Sequence, residues 1–149
     1  SVFDNIGMFI EGVWWGEDTE MWGRIALHHT IAFSWTYGAI YHFEATNRAN
    51  EKRETVKEHP FTGTGLKYIF ETREPISPTL LQDLLEYIEK TKLQTAGRAL
   101  KSGERKFARR VLKNCQTKLM RKDKIYIYIL SYVPAKLFFS LRAIKNHLF

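Results

Sequence analysis

The sequence is poor in cysteine and has no long apolar run. One cysteine, Cys115, stands among 149 residues, which excludes a disulfide within the chain and gives no indication of an oxidising compartment. A membrane-spanning helix needs ~20 apolar residues, whereas the best run, residues 125–135, is shorter and contains Pro134. Residues 1–5 lack the pattern of a signal peptide and the chain starts without Met, so we expect a part of a longer protein.

Acidic residues are scarce in the second half of the chain. Residues 1–76 carry 7 basic and 11 acidic side chains, whereas residues 77–149 carry 16 basic and 5 acidic ones. This asymmetry favours a first half that carries chemistry and a second half that meets an anionic surface. The content of 44% apolar and 14% aromatic residues excludes general disorder.

Helical signals come early in the first half. Ser1 and Gly7 are suited to begin and end a short helix over residues 2–6. Apolar residues at helical spacing predict a second helix over residues 19–28, with Asp18 at or near its start.

Two short strands are predicted after this second helix. Residues 31–35 and 39–43 have the composition of strands, and residues 36–38 supply a turn between them. Residues 66–72 fit either a strand or a short helix, and the spacing does not decide between the two.

The second half is predicted to be helical and basic. A serine–proline pair at residues 77–78 is a typical helix start, and an apolar stripe follows as far as Ile88. Gly97 and Gly103 mark a predicted break before a very basic helix over residues 104–121. Residues 124–149 are apolar and predicted to be helical, with an interruption at a proline.

Three segments within residues 1–44 resemble successive motifs of one family. They are VFDNIGMF (2–9), which is similar to the stretch before a catalytic loop, WGEDTEMWGRIA (15–26), which is similar to a "GED.(D/E).W.R" signature, and AIYH (39–42), which is similar to a domain ending. In this order and at these spacings they resemble the C-terminal, acceptor-side part of the catalytic domain in glycosyltransferase family 2, which has the GT-A fold. The rest of the chain carries no motif of that family.

The resemblance implies a fold class and a reaction. The expected fold is α+β, with residues 1–76 forming the C-terminal half of a GT-A type domain and residues 77–149 a mainly α-helical basic region. The expected enzyme transfers a sugar from a nucleotide-sugar donor to a hydroxyl acceptor with inversion. By resemblance, Asp18 is the general base that removes the acceptor proton, Glu17 orients the acceptor, and Arg24 supports the structure or the diphosphate.

Asp18 also fits a plainer role. An aspartate at a helix start is a common N-cap, which stabilises the helix by about 1 kcal/mol. The two roles are compatible, because a cap would hold the carboxylate in one direction. The flanking residues Gly16, Glu17, Trp22 and Arg24 favour the catalytic interpretation.

Three tryptophans are candidate acceptor-binding residues. An indole offers a flat apolar face to the C–H face of a sugar and a donor on its edge. Trp14 and Trp15 precede the carboxylates in a loop, and Trp15 is slightly preferred. Trp22 lies one turn into the predicted helix, where a position in the core is the favoured alternative.

His42 is the candidate metal ligand. In metal-dependent members of the resembled family, a histidine after the final strand and an upstream Asp-x-Asp motif bind Mn²⁺ or Mg²⁺, so a divalent metal is expected in the full-length enzyme. This sequence has no Asp-x-Asp motif, and a hard cation prefers oxygen ligands to one imidazole. A histidine that is hydrogen-bonded in a strand is equally compatible with the sequence.

The donor side of such an enzyme is missing from the sequence. There is no nucleotide-binding βαβ unit, and the Gln-x-x-Arg-Trp signature of processive synthases is absent, because Gln94 and Arg98 are wrongly spaced and no tryptophan follows. The isolated chain is therefore expected to be inactive. A non-catalytic, membrane-associated adaptor is the alternative function.

The basic second half predicts a partner. Residues 90–124 contain 13 Lys or Arg against 2 acidic residues, and residues 136–149 have the pattern of an amphipathic helix that lies in a membrane interface. Basic side chains near anionic lipid contribute about 1 kcal/mol each. We therefore expect a cytoplasmic protein that is peripheral at the inner face of the membrane and contacts saccharide or lipid-linked acceptors. A solvated helix surface is the second interpretation, and nucleic acid is not expected.

Overall fold

A computed structural model describes residues 1–40, 42, 57–73 and 75–134 of the chain. Six helices lie within these residues: α1 (Val2–Ile6), α2 (Glu17–His28), α3 (Pro60–Glu71), α4 (Pro78–Lys101), α5 (Arg105–Lys113) and α6 (Arg121–Leu130). Helix α3 packs against both α2 and α4, and α4 also packs against α5 and α6. The long helix α4 therefore connects the site-bearing helices to the basic ones.

Two helices begin with the same local arrangement. The Ser77 Oγ accepts a hydrogen bond from the Leu80 amide at 3.2 Å, and a proline follows as the first helical residue, where its missing N–H needs no partner. At the start of α3, the His59 Nδ1 accepts from the Phe61 amide at 3.2 Å, and a proline again comes first. The predicted helix start at residues 77–78 is confirmed.

Two apolar clusters share α4. One cluster contains Phe61, Leu84 and Ile88 and joins α3 to the first half of α4. The other joins the second half of α4 to α5 and α6 and includes Leu100 and Leu112. Burying a side chain of this size stabilises a fold by roughly 1.5–3 kcal/mol, so both ends of α4 are held by packing.

The predicted α+β fold of the GT-A type is wrong. The described part of the chain is helical and contains no strand or sheet. Residues 31–40, which include the predicted strand 31–35 and the start of 39–43, are not paired with another segment, and Trp35 is 92% exposed. Strand composition does not provide a sheet to join, and an isolated pair of strands is at best marginally stable in water. Residues 41 and 43 lie outside the described residues.

Three other predictions change. Residues 66–72, undecided from the sequence, belong almost entirely to α3. Of the two glycines at the predicted break, Gly97 lies inside α4, whereas Gly103 lies in the turn between α4, which ends at Lys101, and α5. The predicted basic helix over residues 104–121 is interrupted, because α5 ends at Lys113 and α6 begins at Arg121. The amphipathic pattern at residues 136–149 lies outside the described residues.

Carboxylates of α4 explain this interruption. Glu86 accepts hydrogen bonds from the Thr117 hydroxyl at 2.7 Å and from the Lys118 amide at 2.6 Å. Glu89 accepts from the Gln116 amide at 2.6 Å. Bonds to the ionised form lower the pKa of the Glu86 carboxyl, with the Thr117 hydroxyl as the largest contributor. The backbone between α5 and α6 therefore bonds to α4 instead of to its own helical turn.

Candidate active site

The start of α2 is set by a glycine that faces a histidine. Gly16 precedes the helix with φ +79°, in the left-handed region that favours glycine. A Cβ added at Gly16 would lie 2.7 Å from the His59 Nε2, so any side chain there would also meet the ring. His59 is 3% exposed, and its amide donates to the Thr95 hydroxyl at 3.0 Å. The loop and α4 are thus connected through His59.

Asp18 lies at the edge of a groove between α2 and α4. The groove has a volume of about 510 Å³, and the face of α4 that lines it consists of Gln94, Gly97, Arg98 and Lys101. Asp18 is exposed and is the second residue of α2, with its Oδ1 accepting from the Thr19 amide at 2.6 Å. The N-cap interpretation of Asp18 is wrong, because Gly16 occupies the N-cap position. The Asp18 side chain therefore lines the groove at the first turn of α2.

An arginine is held between two tryptophans at this groove. The Arg98 guanidinium carbon lies 4.6 Å from the Trp14 ring centroid and 4.9 Å from that of Trp15, within the range of cation–π attraction. The Trp15 ring meets the His59 ring edge to face at 5.1 Å. Burial lowers the pKa of Arg98, which nevertheless keeps its charge at neutral pH. A positive charge, an indole and a carboxylate therefore line one groove.

Glu20 points away from this groove into the core. Its side chain is buried, and it accepts from the Arg24 Nε at 2.8 Å and from the Thr64 hydroxyl at 2.8 Å. The Arg24 guanidinium also donates to the carbonyl oxygens of Ile6 and Met8. These hydrogen bonds connect α2 to both α1 and α3. The structural role expected of Arg24 is thus visible, while its diphosphate role stays a prediction.

Three candidate acceptor-side residues do not line the groove. Trp14 contacts Arg98 but lines a separate, small pocket. Glu17 is the first residue of α2 and is half-buried, but it does not line the groove. Trp22 is 60% exposed, so the interpretation of Trp22 as a core residue is wrong. The acceptor-binding roles of Glu17 and Trp22 remain predictions, whereas Trp15 lines the groove itself.

The candidate metal ligand His42 does not belong to a metal-binding group among the described residues. His42 is exposed, and the described residues contain no group of three or more His, Cys, Asp or Glu side chains placed to hold a metal ion. A hard cation requires several oxygen ligands. The described residues around His42 therefore do not fit Mn²⁺ or Mg²⁺, and the divalent metal stays an expectation for the full-length enzyme.

The buried imidazole of His59 should make the stability of the folded chain depend on pH. Burial lowers the pKa of its imidazole from the ordinary value of 6.5, against the opposite effect of Asp18 and Glu20. The unfolded chain binds this proton as the pH falls through 6.5, and the folded chain does so only at lower pH. The free energy of unfolding should therefore fall below pH 6.5 and level off below the folded-state pKa.

The measurement is urea unfolding of the chain at pH 5.5, 6.5 and 7.5, above the range where the lowered pKa of Glu86 matters. His59→Gln should flatten the dependence, since glutamine can accept from the Phe61 amide without taking up a proton. His28→Gln removes an exposed imidazole and is the matched control. An unchanged slope in His59→Gln would contradict the assignment.

Sequence reasoning missed three residues of this site. They are His59, which no motif singles out, and Arg98 and Lys101, which belong to the basic residues of the second half. Residues 94, 97, 98 and 101 lie at the spacing of one helix face, which was a usable signal for their common orientation. No signal in the sequence showed that this face meets Asp18, because about eighty residues separate them.

Comparison with known proteins adds no family to these observations. No family model, no curated protein and no solved structure matches the chain. Among the described residues, every helix is too short or too polar to cross a bilayer.

Proposed function

We propose that this chain is the acceptor side of an inverting glycosyltransferase, with Asp18 as the general base. The observation that carries the proposal is the position of the Asp18 carboxylate at the groove that Trp15 and Arg98 also line. The resemblance of residues 1–44 to family 2 supports the same reaction. The proposal rests on this site and on the motifs, and not on a GT-A fold.

Each groove residue has a part in the proposed reaction. The acceptor sugar lies against the Trp15 indole, which suits the apolar C–H face of a sugar ring. Asp18 removes the proton from the attacking hydroxyl as the new glycosidic bond forms and the bond to the nucleoside diphosphate breaks on the opposite face. Arg98, fixed between two indoles, supplies positive charge next to the reacting groups.

The donor is a nucleotide sugar, bound by residues other than those described here. The described residues include no βαβ unit for a nucleotide. We propose that another part of the full-length gene product supplies this function. The groove residues by themselves account for binding the acceptor and for removing its proton.

The test is a transfer assay with the full-length gene product. A panel of nucleotide sugars is incubated with and without saccharide and lipid-linked acceptors, and nucleoside diphosphate release is measured. We expect release that depends on acceptor and a product of inverted anomeric configuration by NMR. Absence of acceptor-dependent release with every pair, or retention of configuration, would contradict the proposal.

We further propose a peripheral location at the inner, cytoplasmic face of a membrane. The support is the net positive charge of residues 77–149 and the exposure of Ile125, Ile129 and Tyr132 near that charge. If vesicles bind the protein but no sugar is transferred, the adaptor function replaces the enzyme.

A further inference from the structure

A second groove lies between α5 and α6. Its volume is about 770 Å³, and five of its lining residues are cationic: Arg109, Arg110, Lys113, Arg121 and Lys124. The described residues place no carboxylate in its lining. The groove shares no lining residue with the Asp18 groove. Such a concentration of one sign of charge in a concave surface attracts anions.

Two cations of this groove are held in place by neutral partners. The Arg109 guanidinium donates to the Ser131 carbonyl at 2.8 Å and lies 4.8 Å from the Tyr132 ring centroid. Lys124 donates to the Cys115 carbonyl. Within the described ranges, the ion pairs that form do not include any of the five groove cations. Among the described residues, these cations are therefore not neutralised by a carboxylate.

Exposed apolar side chains lie on α6 and directly beside it in the chain. Ile125, Tyr128 and Tyr132 line the groove, and Ile129 is 58% exposed. Leu119, just before α6, is 74% exposed. Exposed apolar residues next to a basic surface are typical of a membrane-contacting site, since the aliphatic groups enter the headgroup boundary while the cations meet phosphate.

We propose that the α5–α6 groove binds the phosphate headgroups of anionic lipids at a bilayer surface. The phosphate lies among the five cations, and the exposed residues of α6 enter the boundary of the acyl chains. This inference rests on the peripheral location proposed above and names the part of the protein that contacts the membrane. It is independent of sugar transfer, because vesicle binding is measured without donor or acceptor.

The exposed aliphatic residues favour lipid over nucleic acid. A single-stranded nucleic acid would use the same cations and stack its bases on tyrosines. It would leave Leu119 and Ile129, which are exposed and do not line the groove, in water. A bilayer uses the cations and the aliphatic residues together.

The experiment is sedimentation of the chain with vesicles of phosphatidylcholine containing 30 mol% phosphatidylglycerol. The groove variant combines Arg110→Gln, Lys113→Gln and Arg121→Gln, three exposed cations. We expect its partitioning onto these vesicles to fall on the order of 100-fold, from about 1 kcal/mol per cation. Ile125→Ser with Ile129→Ser should weaken binding by about tenfold or more.

The matched control removes three exposed cations elsewhere, Lys67→Gln, Arg73→Gln and Lys90→Gln, and changes the net charge equally. It should weaken binding less than fivefold or so, because these cations do not line the groove. An equal loss of vesicle binding in both triple variants would refute the groove as the binding site. It would leave only a general attraction between the basic protein and the anionic membrane. Equal binding to pure phosphatidylcholine vesicles would overturn the proposal. Unchanged vesicle binding by the Ile125→Ser, Ile129→Ser variant would also overturn it, because a site for nucleic acid or free phosphate uses the cations alone. Circular dichroism and thermal melting verify that each variant is folded.

Discussion

Asp18→Asn is expected to lower kcat of the full-length gene product by about 10²–10⁴-fold, the usual contribution of a general base. Asparagine has nearly the shape of aspartate but cannot take the acceptor proton. Its carbonyl oxygen can still accept from the Thr19 amide, which bonds to the Asp18 Oδ1 at 2.6 Å. The melting temperature and the Kd for the nucleotide sugar should therefore change little, since neither depends on the proton transfer.

Asp83→Asn is the matched control for this experiment. Asp83 is an exposed aspartate near the start of α4 and does not line the groove. The same chemical change at Asp83 should leave kcat within about twofold. Turnover of Asp18→Asn within tenfold of wild type would remove Asp18 from the role of base. Loss of donor binding in that variant would instead indicate a structural role.

The second large effect is expected at the buried carboxylate of α2. Glu20 is fully buried, while the Arg24 side chain is 18% exposed, so Arg24 keeps some contact with water. Removing one partner of a buried ion pair typically costs 3–5 kcal/mol. We expect Glu20→Ala to lower the free energy of unfolding by about 3 kcal/mol. This value is the lower limit of the range, because Arg24 remains in contact with water. The melting temperature should fall by roughly 10 °C.

The variants are compared by urea unfolding and thermal melting. Glu17→Ala removes a half-buried carboxylate three residues earlier on the same helix and should cost less than about 1 kcal/mol. Glu20→Gln keeps an acceptor for the Thr64 hydroxyl but loses the charge, so its effect should lie between the two alanine variants. If Glu20→Ala and Glu17→Ala are equally stable, the Glu20–Arg24 pair does not hold α2 to its neighbours.

The two experiments separate acidic residues that the sequence presents as one cluster. Asp18 and Glu20 are two positions apart, and helix geometry turns such residues about 200° from one another. One therefore reaches the groove and the other the interface with α3. The resemblance predicted that a carboxylate of this cluster does chemistry, but only the packing of α3 against α2 makes Glu20 structural.

Close packing also explains why position 23, in the segment 15–26, is occupied by glycine. A Cβ added at Gly23 would lie 2.1 Å from a ring carbon of Phe61, which is itself buried. The ring of α3 therefore packs directly on the backbone of α2. The sequence shows the glycine but not why it is needed, because the ring that requires the space belongs to a phenylalanine 38 positions later.

The amino-acid sequence by itself determined the features that depend on neighbouring residues. These are the starts of α1 and α4, the helical character of α2, and the charge difference between the two halves. Short-range hydrogen bonds and apolar spacing act within a few residues, so they are visible before folding. Only the tertiary structure decided that residues 31–40 remain unpaired, that α4 carboxylates interrupt the basic helix, and that His59 and Arg98 lie beside the Asp18 groove. Those outcomes depend on partners distant along the chain, and local patterns carry no information about which partner is met.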